Sequence, residues 1–143
     1  MKKVASNKFL FLALTALCLG WVNLAFNVAT VDGGKPWNVP DAAKKVKSPV
    51  AKGDAEAVAA GKVLWMKHCK SCHGAKGLGD GPKSKELDTD CGDFSTKAVQ
   101  SLPDGELFYK IKEGRDDMPS FKKKITDDEE IWQIVSFMRT FAK

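Results

Sequence analysis

The chain has 143 residues, of which 43% are hydrophobic and 29% charged, with a net charge of +5, four cysteines and two histidines. That length allows one domain and little more. Lys2, Lys3 and Lys8 are the only charges in the first 29 residues, and without them the net charge falls to +2. Basic and acidic residues are interleaved along the remainder, which gives no reason to propose a nucleic-acid partner.

Residues 1–29 read as a targeting segment: a basic start, then an uncharged run from Phe9 to Ala29. Such a segment directs a chain across a membrane, to the periplasm or the outer face of the cytoplasmic membrane. A cleaved signal peptide and a retained anchor are both open readings. Asn23 and Asn27 fall at the minus-three positions of sites after Ala25 and Ala29, which argues against cleavage. The uncharged run is also close to the ~20 residues that a spanning helix needs, so membrane association through residues 9–29 is an expectation. Leu17 is too bulky for the residue before a lipoprotein cysteine, leaving Cys18 as one more apolar residue of the run.

Residues 30–52, "TVDGGKPWNVPDAAKKVKSPVAK", hold three prolines, a Gly-Gly pair and no apolar periodicity. They read as a linker or as an arm lying on the surface. Trp37 is the exception, since a large ring between Pro36 and Pro40 is expected to dock somewhere.

Residues 53–143 carry three helical patterns. In the first, Asp54 is the N-cap of "AEAVAAGKVLWMKH", and Val58, Gly61, Leu64 and Trp65 share a face. The second lies in "SLPDGELFYKIKEG". Ser101 and Asp104 have capping-box spacing, Gly114 is a stop signal, and Leu107, Phe108 and Ile111 form the apolar stripe. The third lies in "TDDEEIWQIVSFMRTFAK", where Thr126 and Glu129 form another capping box. Its apolar face holds Ile131, Ile134, Val135, Met138 and Phe141, with Phe137 at one margin. No window alternates as a strand would. The expectation is a small all-α domain with about three main helices.

Cys69, Cys72 and His73 stand together in "CKSCH", the attachment pattern for c-type haem. Two thiols three residues apart can each form a thioether to one porphyrin vinyl group, and the next side chain can place its imidazole on the iron. The competing readings are weaker. A redox dithiol belongs in a βαβ pattern, adjacent Cys72 and His73 suit a tetrahedral zinc site poorly, and a disulfide leaves His73 unexplained. A domain of roughly 90 residues has a marginal core, which a large buried cofactor would help to stabilise. The following loop, "GAKGLGDGP", has glycines at 74, 77, 79 and 81 that can turn the backbone closely past a flat ring. The Pro82 carbonyl is the expected acceptor for the His73 Nδ1 proton.

With these residues, 53–143 resembles a class I cytochrome c. Gly61 and Trp65 lie eight and four residues before Cys69, like that family's glycine and aromatic on the N-terminal helix, and Phe137 resembles the aromatic of the C-terminal helix. The resemblance implies one covalent haem c and its iron, with His73 as one axial ligand. For the other, Met66 is too close to Cys69, Met138 sits among apolar core positions and His68 abuts the motif. Met118, in "GRDDMPSF", resembles the Met-Pro segment that carries the family's distal ligand. His/Met ligation leaves no open iron position, so the implied function is one-electron transfer between redox proteins, with no catalytic residue. The alternatives are a cytochrome subunit docked in a membrane oxidoreductase, and a ligand sensor or peroxidase if Met118 is labile. Lys67, Lys70, Lys76, Lys83 and Lys122 to Lys124 are expected either to ring a haem edge and steer an acidic partner or simply to be solvated. Cys91 has no evident partner; an inert thiol and a contact between molecules are its two readings.

Overall fold

The computed structural model describes residues 36–143; the targeting segment and the first part of the arm lie outside them. In chain order the helices are α1 (Asp41–Lys44), α2 (Ala55–His68), α3 (Lys70–His73), α4 (Lys97–Gln100), α5 (Asp104–Glu113) and α6 (Asp128–Arg139). A 3-10 turn occupies Ser84–Glu86. No strand occurs among the described residues, and Arg115 and Met118 form an isolated antiparallel bridge. The fold is therefore all-α, built on three long helices.

Helix α2 starts where the sequence places it, with the Asp54 carboxylate accepting from the Ala57 N–H at 2.9 Å. Its main packing partner is α6. Gly61 is the point of closest approach, because a Cβ there would overlap the Gln133 carbonyl oxygen of α6. Around that crossing lie Trp65, Ile131 and Ile134, at 1%, 0% and 0% exposure. Phe137, at one margin of the α6 apolar face, packs into this core as the resemblance implies: its ring is 6.1 Å from Trp65 and 5.0 Å from Phe141.

Two helix starts differ from the sequence reading. Helix α6 is capped by Asp127, whose carboxylate accepts from the Glu129 N–H at 2.9 Å, and not by Thr126. Helix α5 has Pro103 in the cap position and no side-chain cap. Ser101 ends the unforeseen helix α4 instead, with its hydroxyl donating to the Lys97 carbonyl at 2.7 Å. A four-residue helix has no apolar periodicity to reveal it, and a serine serves a preceding carbonyl as readily as a following N–H.

Arg139, at the end of α6, joins three elements. Its Nε donates to Asp104 Oδ1 at 2.8 Å, its Nη1 to the Gln100 carbonyl at 3.0 Å and its Nη2 to the Leu102 carbonyl at 2.5 Å. The guanidinium thus satisfies carbonyls at the end of α4 while fixing the start of α5. From residue 36 the arm lies on α5: Val39 is 4% exposed and α1 packs against that helix.

Candidate haem site

The motif occupies one tight turn. Backbone N–H groups of Cys72 and His73 both bond to the Cys69 carbonyl, at 3.2 and 3.0 Å. This places the two thiols and the imidazole on the wall of one cavity of about 350 Å³. The glycine-rich loop folds back along the turn and bonds to its carbonyls. Gly79, Gly81 and Lys83 donate to His73, Cys72 and Ser71 at 3.0, 3.1 and 2.9 Å. Gly81 must lack a side chain, since a Cβ would come within 2.5 Å of the Ser71 carbonyl oxygen.

His73 is fixed from several directions. Phe94 lies 4.8 Å from its ring at 33°, and Trp65 lies 5.9 Å away. The Trp65 indole N–H donates to the Gly74 carbonyl at 3.0 Å, tying α2 to the residue after the ligand. Nδ1 lies 2.8 Å from the Cys91 carbonyl. A carbonyl can only accept, so Nδ1 carries the proton and Nε2 keeps a free lone pair. Burial pulls the His73 pKa below 6.5, against the opposing effect of the Cys91 bond, which favours the neutral ring that a metal requires.

The Cys91 carbonyl corrects the expectation for Pro82. The loop carrying Pro82 is held to the motif by its neighbours Gly81 and Lys83, and Pro82 is not on the cavity wall. The later segment, residues 87–94, brings a carbonyl to the imidazole instead. Cys91 thus acts through its backbone, a role to which its side chain gives no clue. Its thiol is partly exposed, and no disulfide joins Cys69, Cys72 or Cys91.

Cys69 is buried, and that burial, with Cys72 beside it, pushes its thiol up to about 12, keeping the sulfur protonated. Among the described residues no group of three or more His, Cys, Asp or Glu converges as a metal site. Met118 lies on the cavity wall, as do His68 and the buried Met138; Met66 is 40% exposed on α2. Of the lysines singled out from the sequence, Lys67, Lys83 and Lys124 line the cavity, together with Asp90 and Asp117. Lys122 pairs with Glu113 at 2.7 Å. Trp37, Lys110 and Arg115 also reach the wall; of these, the sequence singled out only Trp37.

Two thiols, an imidazole with a free Nε2 and a thioether therefore face one space whose remaining walls are largely apolar side chains. That donor set fits a macrocycle with two thioether links and an iron that can take nitrogen or sulfur ligands. The fold and site define a c-type cytochrome of class I type, with covalently bound haem c. The family profile for cytochrome c oxidase, cbb3-type, subunit III matches residues 56–138, and the chain belongs to that family. Among solved structures, the chain resembles the KustC0563 c-type cytochrome at 32% identity, over 58% of this chain and 98% of that one, with a TM-score of 0.51. It shares its fold with a chain of the Kuenenia stuttgartiensis reducing HAO-like protein complex Kustc0457/Kustc0458, at 22% identity and a TM-score of 0.58. That match covers 77% of this chain but 52% of the other, so the chain spans about half its length. A search of curated proteins gave no match. The family and the likeness to the KustC0563 c-type cytochrome support electron transfer as the domain's role.

Proposed function

We propose that the protein is an exported one-electron carrier in which His73 and Met118 would be the protein's ligands to the haem iron. The observation that carries this reading is the convergence of Cys69, Cys72, His73 and Met118 on one cavity. When bound, haem c supplies an iron that alternates between ferrous and ferric states. The chain's part is to hold that group rigidly. Cys69 and Cys72 fix its position, the Cys91 carbonyl orients His73, and Met118 offers a thioether, which favours the reduced state relative to a second imidazole. Trp65, Phe94 and the core leucine and isoleucine side chains keep water from most of the site. Export is supported by the basic start and uncharged run of residues 1–29, which deliver a chain to the side of the membrane where c-type haem is attached.

The partners are other redox proteins, and the family's name favours one setting: a cytochrome subunit docked in a membrane oxidoreductase. Among the described residues no helix is long and apolar enough to cross a membrane. Attachment would then fall to residues 9–29. Extraction from membranes only with detergent supports the docked subunit; release by salt or osmotic shock supports a soluble shuttle.

Absorption spectra test the ligands. The expected result is a low-spin ferrous spectrum, a far-red sulfur-to-iron band in the ferric form and no response to CO. Met118→Ala should lose the band and bind CO. A band that survives that substitution overturns the assignment, and a high-spin wild type that binds CO favours a sensor or enzyme.

A further inference from the structure

The arm touches the segment that carries Met118. The Trp37 ring lies 4.4 Å from Arg115 Cζ and 5.5 Å from Lys110 Nζ, both in cation–π geometry. Arg115 is in turn bridged to Met118 through the backbone. Each N–H donates to the other's carbonyl, both at 2.8 Å. The arm's own place is set elsewhere, by α5. Gly105 lets the arm's backbone lie directly on that helix, since a Cβ there would overlap the Ala43 carbonyl and come 2.7 Å from that of Val46. Trp37 is therefore held by a helix and presses on a turn.

That turn needs holding. Asp116, between Arg115 and Met118, has φ of 49°, an unfavourable value for a residue with a Cβ. Asp116 and Asp117 are exposed. Beyond the Arg115 contacts, which include Asp116 Oδ2 at 3.1 Å, the turn is tethered by the Thr89 N–H, which donates to Asp117 Oδ2 at 2.9 Å.

We propose that Trp37 is a positioning residue for the distal ligand: the N-terminal arm is a strap that holds Arg115, and through it the Met118 turn, closed over the cavity. This rests on Met118 as the distal ligand. A cation–π contact of this kind changes an equilibrium by a factor of roughly 2 to 30. Removing Trp37 should therefore raise the open population of the Met118 turn by about tenfold, within that range. The consequence is that an event that lifts the arm from α5 also frees the sixth iron position.

The test uses the full haem-loaded chain with Trp37→Ala, Trp37→Phe and Arg115→Gln, the last leaving the arm's packing on α5 intact. Three readouts are taken where denaturation curves show negligible unfolding: the rate at which CO binds the ferrous protein, the ferric far-red band and hydrogen exchange at the Met118 amide. Trp37→Ala and Arg115→Gln should bind CO where the wild type does not, and should speed Met118 exchange by about tenfold, with Ile134 exchange in α6 unchanged. Trp37→Phe should recover much of the wild-type behaviour. Equal acceleration at Met118 and Ile134 would mean a general loss of stability and would overturn the proposal, as would no change at either. A wild type that lacks the band and binds CO removes Met118 as ligand and the proposal with it. A CO-inert wild type with CO-inert variants removes the proposal alone.

Discussion

Replacing Gly61 by Ala sets two effects of opposite sign against each other. Helix propensity alone favours Ala inside α2 by about 1 kcal/mol. The crossing with α6 opposes it. A methyl group at position 61 would overlap the Gln133 carbonyl oxygen and lie 2.5 Å from its carbon and 3.1 Å from the Ile134 nitrogen. These are backbone atoms within α6, so no side-chain rotamer can relieve the overlap and one helix must move. Movement loosens the packing of Trp65, Ile131 and Ile134, which are almost fully buried. Overpacking costs about 1–3 kcal/mol, and a backbone clash belongs at the upper end of that range. After the propensity gain, the net loss is about 2 kcal/mol. In a domain of this size each kcal/mol shifts Tm by about 4–8 °C, so the melting temperature should fall by about 8–16 °C. Far-ultraviolet circular dichroism and haem absorption should follow one transition. A Tm equal to or above that of the parent would refute the close crossing and leave the propensity term in control.

Met138→Ala should destabilise the protein by about 2–5 kcal/mol through a core cavity while retaining the ferric far-red band; loss of the band in a folded variant would transfer the sulfur ligand to α6. Cys91→Ala should preserve the spectrum and the potential, because the His73 bond goes to a carbonyl that the substitution keeps, and a shifted potential would show that the thiol itself contributes. The alkylation that Cys91→Ala abolishes should be slow at neutral pH and accelerate as pH rises. Burial first, then the neighbouring carboxylates of Asp90 and Asp117, raise the Cys91 pKa and reduce the reactive thiolate, and Cys72 adds to this only while its thiol is free. His68 should titrate below 6.5, because burial and then Lys67 and Lys124 disfavour its protonated form. Lys124→Ala should raise that pKa, as followed by NMR of the imidazole Cε1 proton, and an unchanged titration would remove Lys124 as a cause.

The sequence reveals what depends on short spacing and hides what depends on chain crossings. Asp54, Gly61 and Trp65 are legible because a cap and a helix face are local patterns, and "CKSCH" is legible because its chemistry is confined to five residues. The acceptor for His73 is not. Any residue with a carbonyl could serve, and the choice of Cys91 over Pro82 follows from how residues 87–94 cross the motif. Similarly, α4 is too short for periodicity, and only the fold brings the carbonyls of Gln100 and Leu102 to Arg139. Trp37 stands out as misplaced in a proline-rich arm, but only the fold supplies its cations, Lys110 and Arg115.

A polar contact at the cavity edge joins the two sides of the haem site. Thr89 donates to Asp117; two residues beyond Thr89 is the carbonyl that orients His73, and one residue beyond Asp117 is Met118. On the proposed axial assignment, the proximal and distal ligands are thus supported by segments pinned to each other rather than by independent loops. A shift of either segment strains the other, so the arrangement resists the changes in ligand distance that would slow electron transfer. It also makes the Met118 turn depend on contacts from both directions, Thr89 on one side and Trp37 on the other. Loosening a single side should therefore increase ligand access without unfolding the α2–α6 core, because neither tether contributes to the Gly61 crossing.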